Sequence, residues 1–169
     1  MITNEDPNLQ IPTGYSQVNL IQKVLYRPND HIDIGANIQY STTSNIPRFD
    51  KLNDMSGDTL KYAEWYYGPQ RRLFASLTAN INYTNSWFDK ANWVFSYQKL
   101  EEDRINRKFN APERIIRQEN VDVLSANLSF FKTVDSTRSF QYGVEAAFND
   151  VSSQAYSENV NDSSRSYAT

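Results

Sequence analysis

From residue 73 to residue 83 the chain alternates. Leu73, Ala75, Leu77, Ala79, Ile81 and Tyr83 fall on one parity, and Ser76, Thr78, Asn80 and Asn82 on the other. Successive side chains of a strand point to opposite faces, so this segment is a strand with one apolar and one polar side. The cluster Asn85, Ser86, Trp87, Phe88, Asp89, Lys90 reads as a turn. Alternation then resumes with Ala91, Trp93, Phe95 and Tyr97 against Asn92, Ser96 and Gln98. The two runs predict a long β-hairpin, and the chain repeats it on either side. Upstream, residues 15–26 (Val18, Leu20, Val24, Tyr26 against Gln17, Asn19, Lys23) and 31–41 (Ile32, Ile34, Ala36, Ile38, Tyr40 against Asp33, Asn37, Gln39) flank a turn at 27–30, where Pro28 presets φ. The first of these is the least regular: Gln22 interrupts its apolar side, and Ile21 and Leu25 its polar side. Downstream, residues 121–132 (Leu124, Ala126, Leu128, Phe130 against Ser125, Asn127, Ser129) and 138–149 (Phe140, Tyr142, Val144, Ala146, Phe148 against Gln141, Glu145, Asn149) flank a turn at 133–137.

The pattern therefore predicts an all-β, antiparallel up-and-down meander of about six long strands. Short turns at 27–30, 85–90 and 133–137 alternate with long segments at 42–70, 101–120 and 150–169, which read as loops. No helix is predicted beyond a single turn that 113–118 could form. Outer-membrane barrels are built this way, with short periplasmic turns and long extracellular loops. A strand of about eleven residues tilted about 45° rises roughly 25 Å, the height of their apolar band.

A soluble β-sandwich or lipocalin-like barrel also alternates, because one face packs a core. Three features favour lipid. The strands are longer than the usual five or six residues. The charges inside strands (Lys23, Asp33, Glu145) lie on the polar parity, and the apolar parity carries none before Lys99. Tyr26, Tyr40, Tyr83, Trp93, Tyr97, Phe130, Phe140 and Phe148 lie towards strand ends on the apolar side, the place of an aromatic girdle. On this reading Ile34, Ile38, Leu77, Ile81, Phe95, Leu128 and Val144 face lipid, and that face must be bare of any second layer.

Composition narrows the picture further. The net charge is -3, so no nucleic-acid-seeking basic surface is indicated and no nucleic-acid partner is expected. No run of eighteen apolar residues exists, which excludes a helical span but not a strand-built one. Cysteine is absent, so there is no disulfide framework and no thiolate nucleophile or metal ligand. The N-terminal residues lack a charged n-region and an apolar h-region, so no signal peptide is read there.

Ile46-Pro47-Arg48-Phe49-Asp50-Lys51-Leu52, followed by Ala63-Glu64-Trp65-Tyr66-Tyr67-Gly68-Pro69-Gln70-Arg71, resembles the barrel of TonB-dependent outer-membrane receptors, most closely the Bacteroidetes type. Leu100-Glu101-Glu102-Asp103-Arg104 and Phe148-Asn149-Asp150-Val151 resemble later points of the same barrels. The resemblance implies a 22-stranded transmembrane β-barrel in the outer membrane of a Gram-negative bacterium, closed by a plug. Such a receptor takes up a scarce ligand such as an iron–siderophore, haem or cobalamin. The chain lacks the plug, the TonB-binding segment and a final strand ending in an aromatic, and six strands are fewer than the eight of the smallest closed barrels. The expectation is a mid-barrel fragment, partnered by outer-membrane lipid, the missing plug and the remaining strands, and by the TonB complex only through that plug.

Nothing in the sequence reads as catalytic, and no enzyme activity, cofactor or metal is expected. His31, the single histidine, reads as a solvated turn residue. The Glu101-Glu102-Asp103 run reads as a solvated strand extension, with an acid/base pair or Ca²⁺ ligands as the alternative. Asn82-Tyr83-Thr84 and Asn127-Leu128-Ser129 match glycosylation sequons but fall inside strands and are read as chance. Trp65, Tyr66 and Tyr67 with Arg71 and Arg72 could offer aromatic faces and cations to an anionic or haem-like ligand, or pack the loop onto the barrel rim. Arg104 and Arg107, with Lys108, Arg114 and Arg117, could bind phosphates or an acidic ligand, or be neutralised by Glu113 and Glu119. Ser76, Thr78, Asn80, Asn82, Ser125, Asn127 and Ser129 would line the lumen against the plug. The other class weighed is a soluble all-β module whose Trp and Tyr residues stack on sugars.

Overall fold

A computed structural model describes Asp6, Asn8 and residues 11–167 of the 169-residue chain. The strands are β1 (Gln17–Asn29), β2 (Ile32–Thr43), β3 (Ile46–Pro47), β4 (Met55–Ser56), β5 (Thr59–Leu60), β6 (Tyr62–Tyr67), β7 (Arg71–Asn82), β8 (Lys90–Lys108), β9 (Glu113–Thr133), β10 (Ser139–Asn159) and β11 (Arg165–Tyr167), with one helical turn, α1 (Phe49–Leu52). Nine strands form a single antiparallel sheet in the order β1-β2-β7-β8-β9-β10-β11, to which β6 adds on β8 and β3 on β6; β4 and β5 make a separate small hairpin. The all-β antiparallel meander expected from the pattern is present. The sheet is open: β1 and β10 are not paired with each other.

The register brings the apolar parities of six strands onto one face. Val24, Ala36, Leu77, Phe95, Ala126 and Ala146 form one row across the sheet, and Tyr26, Ile34, Ala79, Trp93, Leu128 and Val144 the next. A slip of one residue on any strand would have thrown its apolar set to the other side. The 85–88 turn folds over its lower margin, where Ala91 is 4% exposed, Phe88 meets Phe130 and the Tyr142 hydroxyl donates to the Trp87 carbonyl; above that margin nothing among the described residues covers this face. Val24 and Val144, both aliphatic, are 55% and 61% exposed, and Leu77 is 50% exposed. Ile34, Ile38, Leu77, Ile81, Phe95, Leu128 and Val144 all lie on it. The opposite face carries the row Lys23, Asn37, Ser76, Ser96, Ser125, Ala147. There Ser96 and Ser125 share a hydrogen bond of 2.7 Å, and Asn92 donates to Asn80 at 2.6 Å.

The segments read as loops differ from that reading. Most of 101–120 is strand, since β8 runs to Lys108 and β9 starts at Glu113, joined by a tight turn in which Asn110 takes a positive φ of 57°. Most of 150–169 is strand too: β10 continues to Asn159, and β11 turns back onto it. The possible helical turn at 113–118 lies in β9. Above the apolar belt charged and polar residues enter both parities, interrupted by apolar pairs such as Leu100–Val121 and Ile105–Ile116, so the regular alternation that marks a half-buried strand is lost while the backbone ladder continues. At the other end, β1 extends through Pro28 to Asn29, leaving the turn at Asp30 and His31. Proline is tolerated there because this edge of β1 has no neighbour awaiting its N–H.

The 42–70 segment also contributes strands to the sheet. β3 continues the line of β2, and β6 that of β7. Between Tyr67, opposite Arg104, and Arg71, opposite Glu101, β6–β7 carries one residue more than β8, which is a bulge at Gly68-Pro69-Gln70. Gly68 donates its N–H to the Asp103 carbonyl at 2.7 Å, and a Cβ on it would come 2.6 Å from the Asp103 Cβ. Only glycine allows that approach. The short helix α1 and the β4–β5 hairpin fill the tip of this segment.

Candidate functional site

The chemistry-bearing side chains gather above the belt, divided between the two faces of the sheet. On the polar face, β6 presents Trp65 and Tyr67, whose rings meet edge to face at 5.2 Å. The Arg48 guanidinium lies over both, 5.1 Å from the Trp65 ring and 5.6 Å from that of Tyr67, and donates to the Tyr67 hydroxyl at 3.0 Å. Asp50 clamps the same guanidinium at 2.6 and 2.8 Å. The hydrogen bond from Arg48 holds the Asp50 carboxyl down at about 2. Arg48 precedes α1, so this stack fastens the loop tip to β6.

Tyr66 and Glu64 point the other way, onto the face continuous with the apolar belt. Tyr66, Ile105, Ile116, Tyr156 and Tyr167 stand in one row across five strands. Ile105, Ile116 and Tyr156 are 7%, 7% and 9% exposed, and with Ala91 they are the buried hydrophobic residues among those described. Directly above runs a charged row: Glu64, Arg107, Arg114, Glu158, Arg165. Glu64 accepts from Arg107 at 3.0 Å and from Arg114 at 2.8 Å; Glu158 meets Arg114 at 3.5 Å and Arg165 at 3.1 Å. Burial alone would push the Glu64 carboxyl up, but the hydrogen bonds and charges of Arg114 and Arg107 together lower it. The bond to Glu64 raises Arg114 in turn.

Arg104 pairs with Glu119 on the polar face at 2.9 Å. Arg71 reaches Glu101 at 3.4 Å on the belt side, and Arg72 donates to Gln98 at 2.9 Å on the polar side. The expected ligand set of Trp65, Tyr66, Tyr67, Arg71, Arg72, Arg104 and Arg107 therefore does not form one cluster. Trp65, Tyr67, Arg72 and Arg104 share the polar face; Tyr66, Arg71 and Arg107 share the other. Four of its arginines already hold a carboxylate or amide partner. The Glu101-Glu102-Asp103 run lies within β8, and its members are engaged separately: Glu101 with Lys99 and Arg71, Glu102 with Gln70, Asp103 with Gln118. His31 donates from Nδ1 to the Asn82 carbonyl at 3.1 Å.

Just above the belt on the polar face, Gln17, Ser41, Thr43, Arg72 and Glu102 line an open cavity of about 270 Å³. Its amide and hydroxyl groups can hold a small polar molecule by hydrogen bonds. No group of three or more potential metal ligands occurs among the described residues. Arg48, Asp50, Glu64, Glu158 and Arg165 were not read from the sequence as site residues. Arg48 and Asp50 sit in a stretch whose geometry depends on α1. Glu64 and Glu158 meet their arginines across strands whose pairing the lost alternation hides. The chain matches no family model, no curated protein and no solved structure.

Proposed function

We propose that this chain is a wall section of a bacterial outer-membrane β-barrel of the TonB-dependent receptor type, supplying strands and ligand-side extensions to a transporter of a scarce small molecule. One observation carries the reading: an apolar face in register across six strands, with aromatic margins, left uncovered by the chain itself above the 85–88 turn. A bare face of this extent is what water disfavours and hydrocarbon accepts. The run 18–26 measures roughly 26 Å along its strand, about 20 Å of height once tilted, close to the barrel's apolar band of roughly 25 Å. The described residues contain no helix long and apolar enough to cross a membrane. The polar-face serines and asparagines then line the lumen. The extensions above the belt, with the Arg48–Trp65–Tyr67 stack and the open cavity beside Gln17 and Arg72, stand on the side where ligand arrives. The resemblance of residues 46–71 to receptor barrels supports the transporter class. No catalytic role is assigned.

The test is the environment the chain needs. Refolded from denaturant, it is expected to stay dispersed with high strand content only with detergent or lipid, and Trp93 fluorescence should be quenched by brominated acyl chains. A chain monodisperse in plain buffer, with Trp93 quenched only by aqueous agents, defeats the proposal and favours a soluble binding module.

A further inference from the structure

The two margins of the sheet are unpaired over long stretches. Among the described residues nothing bonds to the free edge of β1 along 17–29, or to that of β10 along 139–155, below the short contact with β11. Lipid does not tolerate such edges, since no water satisfies their N–H and C=O groups. The two edges are also complementary. β1 runs from the extended end of the sheet towards the short turns and β10 runs back, so β10 laid against β1 of another copy is antiparallel. Their apolar runs, 18–26 and 140–148, have equal length. Each carries one charge near its middle on the polar face, of opposite sign. Lys23 makes no ion pair among the described residues, and Glu145 is engaged only by the Asn127 amide at 3.4 Å. With the belts level, Gln22 faces Val144 and Lys23 falls opposite Gly143. The missing side chain there leaves Lys23 room to reach Glu145 on the diagonal.

Resting on the lipid-facing reading above, we propose that copies of this chain join head to tail in lipid or detergent, the β10 edge of one pairing with the β1 edge of the next, Lys23 against Glu145. Within a longer barrel wall the same edges take the flanking strands; the 169-residue chain alone supplies them from its own copies. One chain cannot close on itself in a membrane, because its six long strands fall below the eight of the smallest barrels, whereas two copies bring twelve.

The chain refolded into dodecyl maltoside tests this by light-scattering mass, corrected for detergent. The wild type is expected at two chains or more. Lys23→Glu and Glu145→Lys should each raise the dissociation concentration by about tenfold, and the double swap should restore it. Lys23→Cys with Glu145→Cys should give interchain disulfide ladders on oxidation, and Lys23→Gln with unchanged circular dichroism guards against misfolding. A single-chain mass in detergent, a 23–145 disulfide within one chain, or oligomers indifferent to both charge reversals overturns the inference while leaving the membrane reading standing. A chain monodisperse without detergent overturns both.

Discussion

Gln22, at the middle of the apolar run of β1, stands level with Phe148, at the upper end of the run of β10. Cross-strand register partners connect them through Ile38, Ala75, Tyr97 and Leu124. The belt thus descends by about four residues over five strand-to-strand steps, which at roughly 3.3 Å per residue and 4.8 Å per step is a slant of about 30°. A level hydrocarbon slab would require the strands to tilt by that angle, close to the 35–45° of membrane barrels. Polarised infrared dichroism of the chain in oriented bilayers is expected to give a strand tilt of about 30–45° from the normal. Strands lying in the bilayer plane would contradict it.

How much of this was visible in the sequence depends on height along the strands. Where one face is apolar and the other polar, as at Leu77 and Ser76, the period of two named the strand, its faces and its hairpin partner. Above the belt that signal fails. Glu102 lies opposite Glu119, Arg104 opposite Arg117 and Arg107 opposite Arg114, like-charge pairs that argue against pairing when read alone. They are reconciled by groups off the row or on other strands: Arg104 bridges to Glu119, and Glu64 of β6 takes both Arg107 and Arg114. Glu64 and Arg114 are 50 residues apart, so no local pattern announces their meeting. The expected ligand set divides between the faces for a related reason. Trp65 and Tyr67 share a face and Tyr66 does not, which follows from period two once 62–67 is known to be strand.

Face asymmetry is testable with two neighbours in one strand. Leu77 stands mid-belt on the bare apolar face, and Ser76 on the polar face. In lipid, Leu77→Arg should lower stability by about 2–4 kcal/mol and Ser76→Arg by about 1 kcal/mol or less, read from denaturant midpoints in vesicles. Equal costs for the two would remove hydrocarbon as the cause of the alternation.

Gly143 is the position where backbone approach leaves no room. A Cβ there would overlap the Leu128 carbonyl oxygen and press on Ser129 Cα at 3.1 Å, both main chain. Gly35 meets only the Thr78 hydroxyl, which can rotate away. Gly143→Ala is therefore expected to cost about 1–3 kcal/mol and Gly35→Ala clearly less, compared by the same denaturation assay. Gly14→Ala, with nothing within 4 Å, serves as the control and should be near neutral. An equal loss at 35 and 143 would mean that β9 and β10 do not approach as closely as described.

The charged row above the belt sets a pH dependence. The Glu64 carboxyl is lowered below its ordinary 4.5, the bonds from Arg114 and Arg107 outweighing the opposing effect of burial. A lowered carboxyl contributes stability that is fully present above its unfolded value and lost as pH falls through the folded one. The arginines stay charged throughout, so protonating Glu64 leaves Arg107 and Arg114 crowded across β8 and β9 without the anion they share. Hydrogen exchange of the 62–67 and 105–116 amides should accordingly lose protection below about pH 4.5, after correction for the intrinsic rate. Glu64→Gln should reproduce that loss at pH 7, by about 1–3 kcal/mol of local opening free energy, and show little further change on acidification. A variant as protected as the wild type at pH 7 would mean that the β6 strand is held by its ladder and the Tyr66 contact alone.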